Sequence, residues 1–108
     1  MLVCEGQLAE VLTMTKYELT PKFDRCKSFY KKAYVHLIGD IKYLESYDST
    51  VVTIYADGVC TLQTAASYSM TTRRHVNEFL LQEGIVNRAL SKKEIEALIG
   101  NEFKTLSL

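Results

Sequence analysis

The sequence contains no tryptophan, only 1 proline and only 5 glycines among 108 residues. So few chain-breaking residues, together with 47% hydrophobic residues, are typical of an ordered globular protein and exclude a linker or a low-complexity segment. No internal repeat and no Ser/Gly/Pro-rich stretch divides the chain, so we expect residues 1–108 to form a single domain. Because a domain of this size has one small core, it leaves little room for a buried cofactor, and we expect none.

Cysteine is scarce as well, since Cys4, Cys26 and Cys60 are odd in number and widely separated. They form no C-x-x-C pair and no histidine lies at zinc-ligand spacing, so the pattern favours reduced thiols and indicates no metal site. The first ten residues are interrupted by Glu5 and Glu10, and they have neither the apolar run of a signal peptide nor the length of a membrane span. We therefore expect a cytoplasmic protein with no membrane partner.

The chain has no excess of charge of either sign, with 13 basic and 13 acidic residues. This balance argues against the bulk positive field of a non-specific nucleic-acid binder. Residues 16–43 nevertheless carry seven basic and three acidic side chains, a local net charge of +4. Such a segment either contacts an acidic partner or is simply a solvated face.

A first β-hairpin is predicted between residues 33 and 47. The segments AYVHLI (33–38) and IKYLESY (41–47) alternate apolar and polar side chains, as half-buried strands do. Between them, Gly39-Asp40 accepts the positive φ angles of a two-residue hairpin turn.

A second hairpin follows at once. STVVTIYA (49–56) and VCTLQT (59–64) are joined by Asp57-Gly58, the pair favoured in a type I′ turn. Joined by a short bend, the two hairpins predict a meander of four antiparallel strands. LAEVLTM (8–14) would add a fifth strand, before an irregular stretch that runs to about residue 27.

The apolar spacing then becomes helical, because Val76, Phe79 and Leu80 recur at i, i+3 and i+4 and Gly84 follows as a stop. Either threonine of the Thr71-Thr72 pair would cap this helix.

A second helix is predicted from Ser91, which forms an S-x-x-E capping box with Glu94, to a stop at Gly100. An antiparallel sheet needs one covered face, and two C-terminal helices supply the cover. The predicted fold class is therefore α+β, with an antiparallel four- to five-stranded meander followed by two helices packed on one face.

Three segments resemble a family of small uncharacterised proteins of phages and prophages in Firmicutes and other gut bacteria. They are KFDRCKSFYKKAYV, ESYDSTVVTI and YSMTTRRHVNEFLLQEG, and the resemblance runs from about Lys22 to Gly84. Lys31 stands where that family has glycine, and Ser49 where it usually has threonine. The resemblance implies an origin in a phage or mobile element and no assigned activity. Positions that match its recurring pattern include Ser28, Phe29, Tyr30, Lys32, Ala33, Ser46, Tyr47, Val51, Tyr68, Ser69, Thr71, Thr72, Arg74, His75, Glu78, Phe79, Leu80, Gln82 and Gly84.

The segment that starts the first helix is the sharpest candidate site. It places hydroxyls and cations where the unpaired N–H groups of a helix N-terminus face outward, which suits a phosphate or an acidic partner. The structural alternative is an internal ion pair of Arg74 with Asp48 or Glu45, with the threonines acting only as caps. The candidate binding residues here are Thr71, Thr72, Arg73, Arg74 and His75.

Tyrosine is abundant, with 7 residues, and most of them lie on or beside the predicted sheet. Tyrosine offers a rigid contact surface with a polar tip, so we add Tyr30, Tyr47 and Tyr68, with Lys32, to the candidate binding residues. Ordinary sheet packing explains the same tyrosines equally simply. If two of them share the open sheet face with Lys32 or Lys42, that face becomes the best binding candidate.

These observations favour a non-enzymatic, phage-type accessory protein that binds a host protein or ribonucleoprotein in the bacterial cytoplasm, such as an anti-CRISPR inhibitor of a defence system. One alternative is a small nucleic-acid-binding module that uses the Thr71–His75 helix start and the basic segment 16–43. A further alternative is an enzyme acting on a phosphorylated small molecule, with His75 beside a carboxylate or hydroxyl in a cleft. A His75 pairing with Cys26 or Cys60 is not indicated, because no motif fixes their proximity. An isologous homodimer through a strand edge or the tyrosine-rich face is also compatible with the sequence.

Overall fold

The computed structural model describes residues 15–106. Two α-helices and a short 3₁₀ helix, Thr64–Ser67, follow the first five strands of a sheet. Neither α-helix is long and apolar enough to cross a membrane. The elements are β1 (Thr15–Glu18), β2 (Ala33–Ile38), β3 (Ile41–Ser46), β4 (Ser49–Ile54), β5 (Cys60–Leu62), α1 (Met70–Gln82), α2 (Lys92–Leu98) and β6 (Glu102–Phe103).

The sheet is a six-stranded antiparallel meander in the order β1-β2-β3-β4-β5-β6. This confirms the α+β prediction and adds strands that the sequence pattern missed. β1 lies in the stretch expected to be irregular, because T-K-Y-E contains one apolar side chain and gives no clear alternation. β6 has two residues and pairs with β5. The strand predicted at 8–14 lies outside the described residues.

The two hairpin turns differ from each other. Ile38 pairs with Ile41, so Gly39-Asp40 forms the predicted two-residue turn, with Gly39 at φ +59°. The type I′ prediction for Asp57-Gly58 is wrong. There the Tyr55 N–H donates to the Val59 carbonyl at 2.8 Å across three residues, and only Gly58 among those three has positive φ, +87°. This is the pattern of a three-residue loop with a glycine in the left-handed region.

One face of the sheet forms the core with the helices. Val35, Leu44, Val52 and Leu62 are paired across four strands and are all buried. Each such side chain contributes about 1.5–3 kcal/mol when it is fully buried. The helices cover this inner face with side chains that share the same apolar cluster, namely Val76, Phe79 and Leu80 of α1 and Ile95 of α2. No element of the described residues covers the outer face.

The caps determine where the helices begin. Ser69, not Thr71 or Thr72, caps α1, and its hydroxyl accepts the Thr72 N–H at 3.0 Å. The predicted cap was therefore two or three residues too late, because the helix begins at Met70. The capping box of α2 is confirmed, since the Ser91 N–H donates to Glu94 at 2.8 Å and the Glu94 N–H donates to Ser91 at 3.2 Å.

Candidate binding site at the tyrosine-rich end of the sheet

Three chain segments converge at the end of the sheet that carries the β3–β4 turn. Tyr47 forms the turn, and its N–H donates to the carbonyl of Lys32 at 2.7 Å. The Lys32 ammonium lies 5.9 Å from the centroid of the Tyr47 ring. Tyr68 approaches from the residues just before α1. We call Tyr30, Lys32, Tyr47 and Tyr68 the tyrosine rim.

The rim displays its aromatic rings to solvent. Tyr30 is 73% exposed and Tyr68 is 72% exposed, while Tyr47 is 47% exposed. A cavity of about 230 Å³ lies between Tyr47 and Tyr68, with Ser46 and Thr72 among its lining residues. Exposed aromatic side chains gathered around a small groove are typical of a contact surface.

Tyr34 and Tyr43 lie on the outer face of the sheet, but their neighbours are Lys16 and His36 and not the Lys32 or Lys42 considered from the sequence. The Lys16 ammonium lies 4.5 Å from the centroid of the Tyr34 ring. The rings of His36 and Tyr43 are stacked, with centroids 4.5 Å apart. Lys42 instead lies on the inner face, because it is paired with Ile54 and is two residues from buried Leu44. Its ammonium binds Glu83, the residue that follows α1. Lys42 therefore does not share the open face with these tyrosines.

Left-handed backbone supports the rim. Tyr30, Lys31 and Tyr47 have φ angles of +53°, +62° and +58°. A residue other than glycine in this region costs about 1–2 kcal/mol, and a bulky one is an outlier. Since such strain concentrates at functional positions, the rim is a surface whose shape the fold maintains at a cost in stability.

Replacing Lys31 with glycine is expected to raise the free energy of unfolding by about 1 kcal/mol, because glycine adopts positive φ without the steric cost. The Lys31 N–H donates to Glu18 at 3.0 Å, and this bond does not need the side chain. Urea denaturation measures the change. The matched control, Lys32→Gly, removes a lysine where φ is not positive and is expected to give no gain. A Lys31→Gly protein no more stable than wild type would contradict the strain.

A buried chain of polar groups lies beneath the groove. The hydroxyl of Ser46 lies 2.8 Å from Nδ1 of His75 and donates to the Thr72 hydroxyl at 3.3 Å. The hydroxyl of Ser69 donates to the same Thr72 oxygen at 3.1 Å. The edge-on ring of Phe29 packs against His75, with centroids 4.5 Å apart. These contacts connect the helix start to β3 and fix the position of the rim above them.

The imidazole of His75 is completely buried, and burial lowers its pKa from 6.5 to about 4. Burial is the largest cause of this lowered pKa, the nearby charge of Arg74 contributes in the same direction, and the charge of Asp24 opposes it. His75 is therefore neutral at physiological pH. Its Nε2 has no hydrogen-bond partner among the described residues, so nothing there orients the ring as the third member of a catalytic triad would. The position of His75 in the core favours a structural role for its bond with Ser46.

Arg74 pairs with Asp24, not with Asp48 or Glu45 as the sequence suggested. Its Nε donates to Asp24 at 3.0 Å, and its Nη2 donates to the second carboxylate oxygen. These hydrogen bonds hold the pKa of Asp24 well below its usual range. The predicted internal ion pair of Arg74 is therefore present, but its partner is a different residue. The loop that carries Asp24 packs beside α1 and supplies the carboxylate. Glu45 is occupied by His36, at 2.7 Å.

Glu78 is the polar residue that sequence reasoning did not recognise as important. Its buried carboxylate accepts the backbone N–H groups of Lys22, Phe23 and Asp24 at 2.8–3.2 Å. Gln82, one turn later, donates to Glu78 and to the carbonyl of Thr20. The i, i+4 and i+8 spacing of Arg74, Glu78 and Gln82 is visible in the sequence, but the loop they hold is not.

The helix start is therefore mostly occupied by internal contacts. Thr72 and His75 are buried, and Arg74 forms the ion pair with Asp24. Arg73 donates to the carbonyl of Ser67 at 3.1 Å and is half-buried. Thr71 is exposed, and Arg74 is exposed as well although it forms the ion pair. The structure places Lys32 beside Tyr47 and places Tyr68 across the groove from Tyr47, and it gives four of the five helix-start residues structural contacts.

The described cysteines are not positioned as nucleophiles. Cys26 and Cys60 are both free thiols, and Cys4 lies outside the described residues. Burial raises the pKa of Cys60 to about 12 and raises that of Cys26 as well. His75 bonds Ser46 and has no hydrogen bond with either thiol, so the Cys–His pairing has no support among the described contacts.

The fold and the rim define a small α+β protein with a six-stranded meander and its most exposed tyrosines gathered at one end. The model of a family of unknown function, DUF8033, matches residues 17–97, and the chain belongs to this family. No curated protein and no solved structure matches the chain.

Proposed function

We propose that the protein is a non-enzymatic accessory protein of phage type that binds a host protein or ribonucleoprotein through the tyrosine rim. In this proposal it inhibits a bacterial defence system in the manner of an anti-CRISPR. The resemblance to small phage and prophage proteins supports the phage origin. The exposure of Tyr30 and Tyr68, together with the groove between Tyr47 and Tyr68 and the strained backbone of Tyr30 and Tyr47, is the observation that carries the binding role.

The charge of the rim suggests the chemistry of the partner. Lys31 and Lys32 are exposed beside Tyr30, and Arg73 lies next to the residues that carry Tyr68. Tyrosine and arginine are enriched in protein interfaces, and cations around them favour an acidic partner. We therefore propose that the host partner presents a carboxylate-rich surface to the rim.

The same combination of aromatic rings and cations favours a nucleic acid as the second candidate. Bases stack on exposed aromatic side chains while lysine and arginine contact phosphates. The contact would be made by the rim and not by the Thr71–His75 segment, since Thr72 and His75 are buried and Arg74 is paired. The binding of a nucleic acid would weaken steeply with added salt.

An affinity capture from host lysate tests the proposal. The rim variant is Tyr30→Ala/Tyr68→Ala, because both side chains are largely exposed and their removal leaves the core unchanged. We leave Tyr47 intact, since its ring packs 6.0 Å from the His75 ring. The rim variant is expected to bind the captured protein at least about tenfold more weakly than wild type. Calorimetry with the purified partner measures this change.

The control is Tyr17→Ala, which removes a tyrosine that is 41% exposed on β1 and lies outside the rim. We expect a protein that survives nuclease treatment, is retained by wild type and by the control, and is lost with the rim variant. Capture that nuclease abolishes would transfer the role to nucleic acid. A protein retained equally by all three chains, or no retained protein, would overturn the proposal.

A further inference from the structure

A second groove opens at the end of the sheet opposite the rim, on the outer face. It has a volume of about 520 Å³ and is lined by Ile41, Tyr55 and Val59, with Asp57 and Glu102 as its charged residues. We propose that this groove binds a polypeptide segment in which an apolar side chain lies next to lysine or arginine. The inference rests on different residues from the tyrosine rim and is independent of the proposed function.

Large apolar side chains of the groove are exposed to solvent. Ile41 is 39% exposed and Tyr55 is 43% exposed. Ile38, the partner of Ile41 across the β2–β3 turn, is 44% exposed and extends the same apolar surface along β2. No element of residues 15–106 covers these side chains. A volume of several hundred cubic ångströms suits one or two large apolar side chains of a partner.

The charge around the groove selects the occupant. Both charged lining residues, Asp57 and Glu102, are acidic, and neither forms an ion pair with any described residue. Asp40 adds a third carboxylate at the neighbouring turn. Lys42, close in sequence, lies on the inner face and is bound to Glu83 at 2.9 Å. Charge complementarity therefore favours a basic polypeptide and disfavours the phosphates of a nucleic acid.

Backbone hydrogen bonds form the groove before any partner arrives. The Tyr55 N–H donates to Val59, and the Gly58 N–H donates back to Tyr55 at 2.9 Å, which closes the β4–β5 loop. Asp57 accepts the Val59 N–H at 3.0 Å through one carboxylate oxygen. Glu102 is placed on the same face by its pairing with Thr61. A preformed site loses little conformational entropy when it binds, so short ligands are able to report on it.

Peptide titration of the ¹⁵N-labelled protein tests the inference by NMR. The probe is acetyl-Gly-Lys-Phe-Arg-Gly-amide, compared with acetyl-Gly-Glu-Phe-Glu-Gly-amide and acetyl-Gly-Lys-Gly-Arg-Gly-amide. We expect the first peptide to give saturable shifts at the amides of Ile41, Tyr55 and Val59, with a dissociation constant in the range of about 1 mM. We expect the acidic peptide and the peptide without phenylalanine to bind at least about tenfold more weakly.

Two variants locate the site. Ile41→Ser removes one apolar wall and is expected to weaken binding at least about fivefold. Asp57→Asn/Glu102→Gln removes the charges on the surface, keeps an acceptor for Val59, and is expected to weaken binding about threefold to tenfold. The second variant keeps the test decisive if the first does not fold. Shifts that map elsewhere, equal binding of the acidic peptide, or no saturable shift would each overturn the inference.

Discussion

Replacing Glu78 with alanine is expected to lower the free energy of unfolding by about 3–5 kcal/mol. The carboxylate of Glu78 accepts the backbone N–H groups of Lys22, Phe23 and Asp24, and it is buried. Alanine would leave these three donors without a partner, and each unsatisfied buried donor costs about 1–3 kcal/mol unless the loop opens to water. Either response removes the contact that holds the loop against α1.

Urea denaturation at pH 7 measures the loss. Glu78→Gln keeps an oxygen acceptor but removes the charge, and we expect it to lose about half as much stability as Glu78→Ala. Glu96 of α2 is exposed, so Glu96→Ala is the matched control and should change stability by less than about 0.5 kcal/mol. If Glu78→Ala stays within about 1 kcal/mol of wild type, the loop does not depend on this carboxylate.

Acidification from pH 7 to pH 4 is expected to lower the free energy of unfolding by about 3 kcal/mol through His75 alone. Burial lowers the pKa of His75 from 6.5 to about 4, so the unfolded chain binds a proton more readily than the folded protein. The stability that depends on neutral His75 is present above pH 6.5 and is lost as the pH falls toward 4. The charged groups near it, Arg74 and Asp24, form an ion pair, and the lowered pKa of Asp24 keeps that carboxylate ionised throughout this range.

Urea denaturation at several pH values measures this dependence. His75→Gln is the informative variant, because its amide retains a hydrogen bond to Ser46 but does not titrate. We expect its stability to fall by about 3 kcal/mol less than that of wild type over the same pH range. Equal pH dependence in the two proteins would show that His75 does not titrate in this range.

The parts of the fold that the sequence predicted correctly are the local ones. The Gly39-Asp40 turn and the capping box of Ser91 and Glu94 depend on residues at most three positions apart. Alternation along residues 33–38 reports burial directly, because successive side chains of a strand face opposite sides. Local chemistry and periodicity are sufficient for such elements.

The sequence-based predictions were wrong or incomplete where contacts between distant parts of the chain determine the structure. β1 is a strand because β2 is beside it, although its own side chains are mostly exposed. Arg74 is separated by 50 residues from its partner Asp24, and Ser46 by 29 from His75. No spacing rule relates positions so far apart, so the sequence supplied the reactive groups but not their partners.

Some features of the candidate site had an indication in the sequence and others had none. Tyr30 and Tyr68 were selected as tyrosines near the sheet, and both are exposed. The left-handed conformation of Lys31 had one visible indication, the glycine at this position in the family that the sequence resembles. For Tyr47 no comparable indication exists, because a tyrosine at a turn does not by itself predict positive φ.

Site-specific photo-crosslinking in the host tests directly whether the tyrosine rim contacts a host protein. A benzophenone amino acid replaces Tyr68, and in the control chain it replaces Glu96, an exposed residue of α2 that belongs neither to the rim nor to the groove lined by Ile41, Tyr55 and Val59. We expect one discrete protein adduct from position 68 that nuclease does not remove, and no such adduct from position 96. The same adduct from both positions, or no protein adduct from position 68, would contradict it.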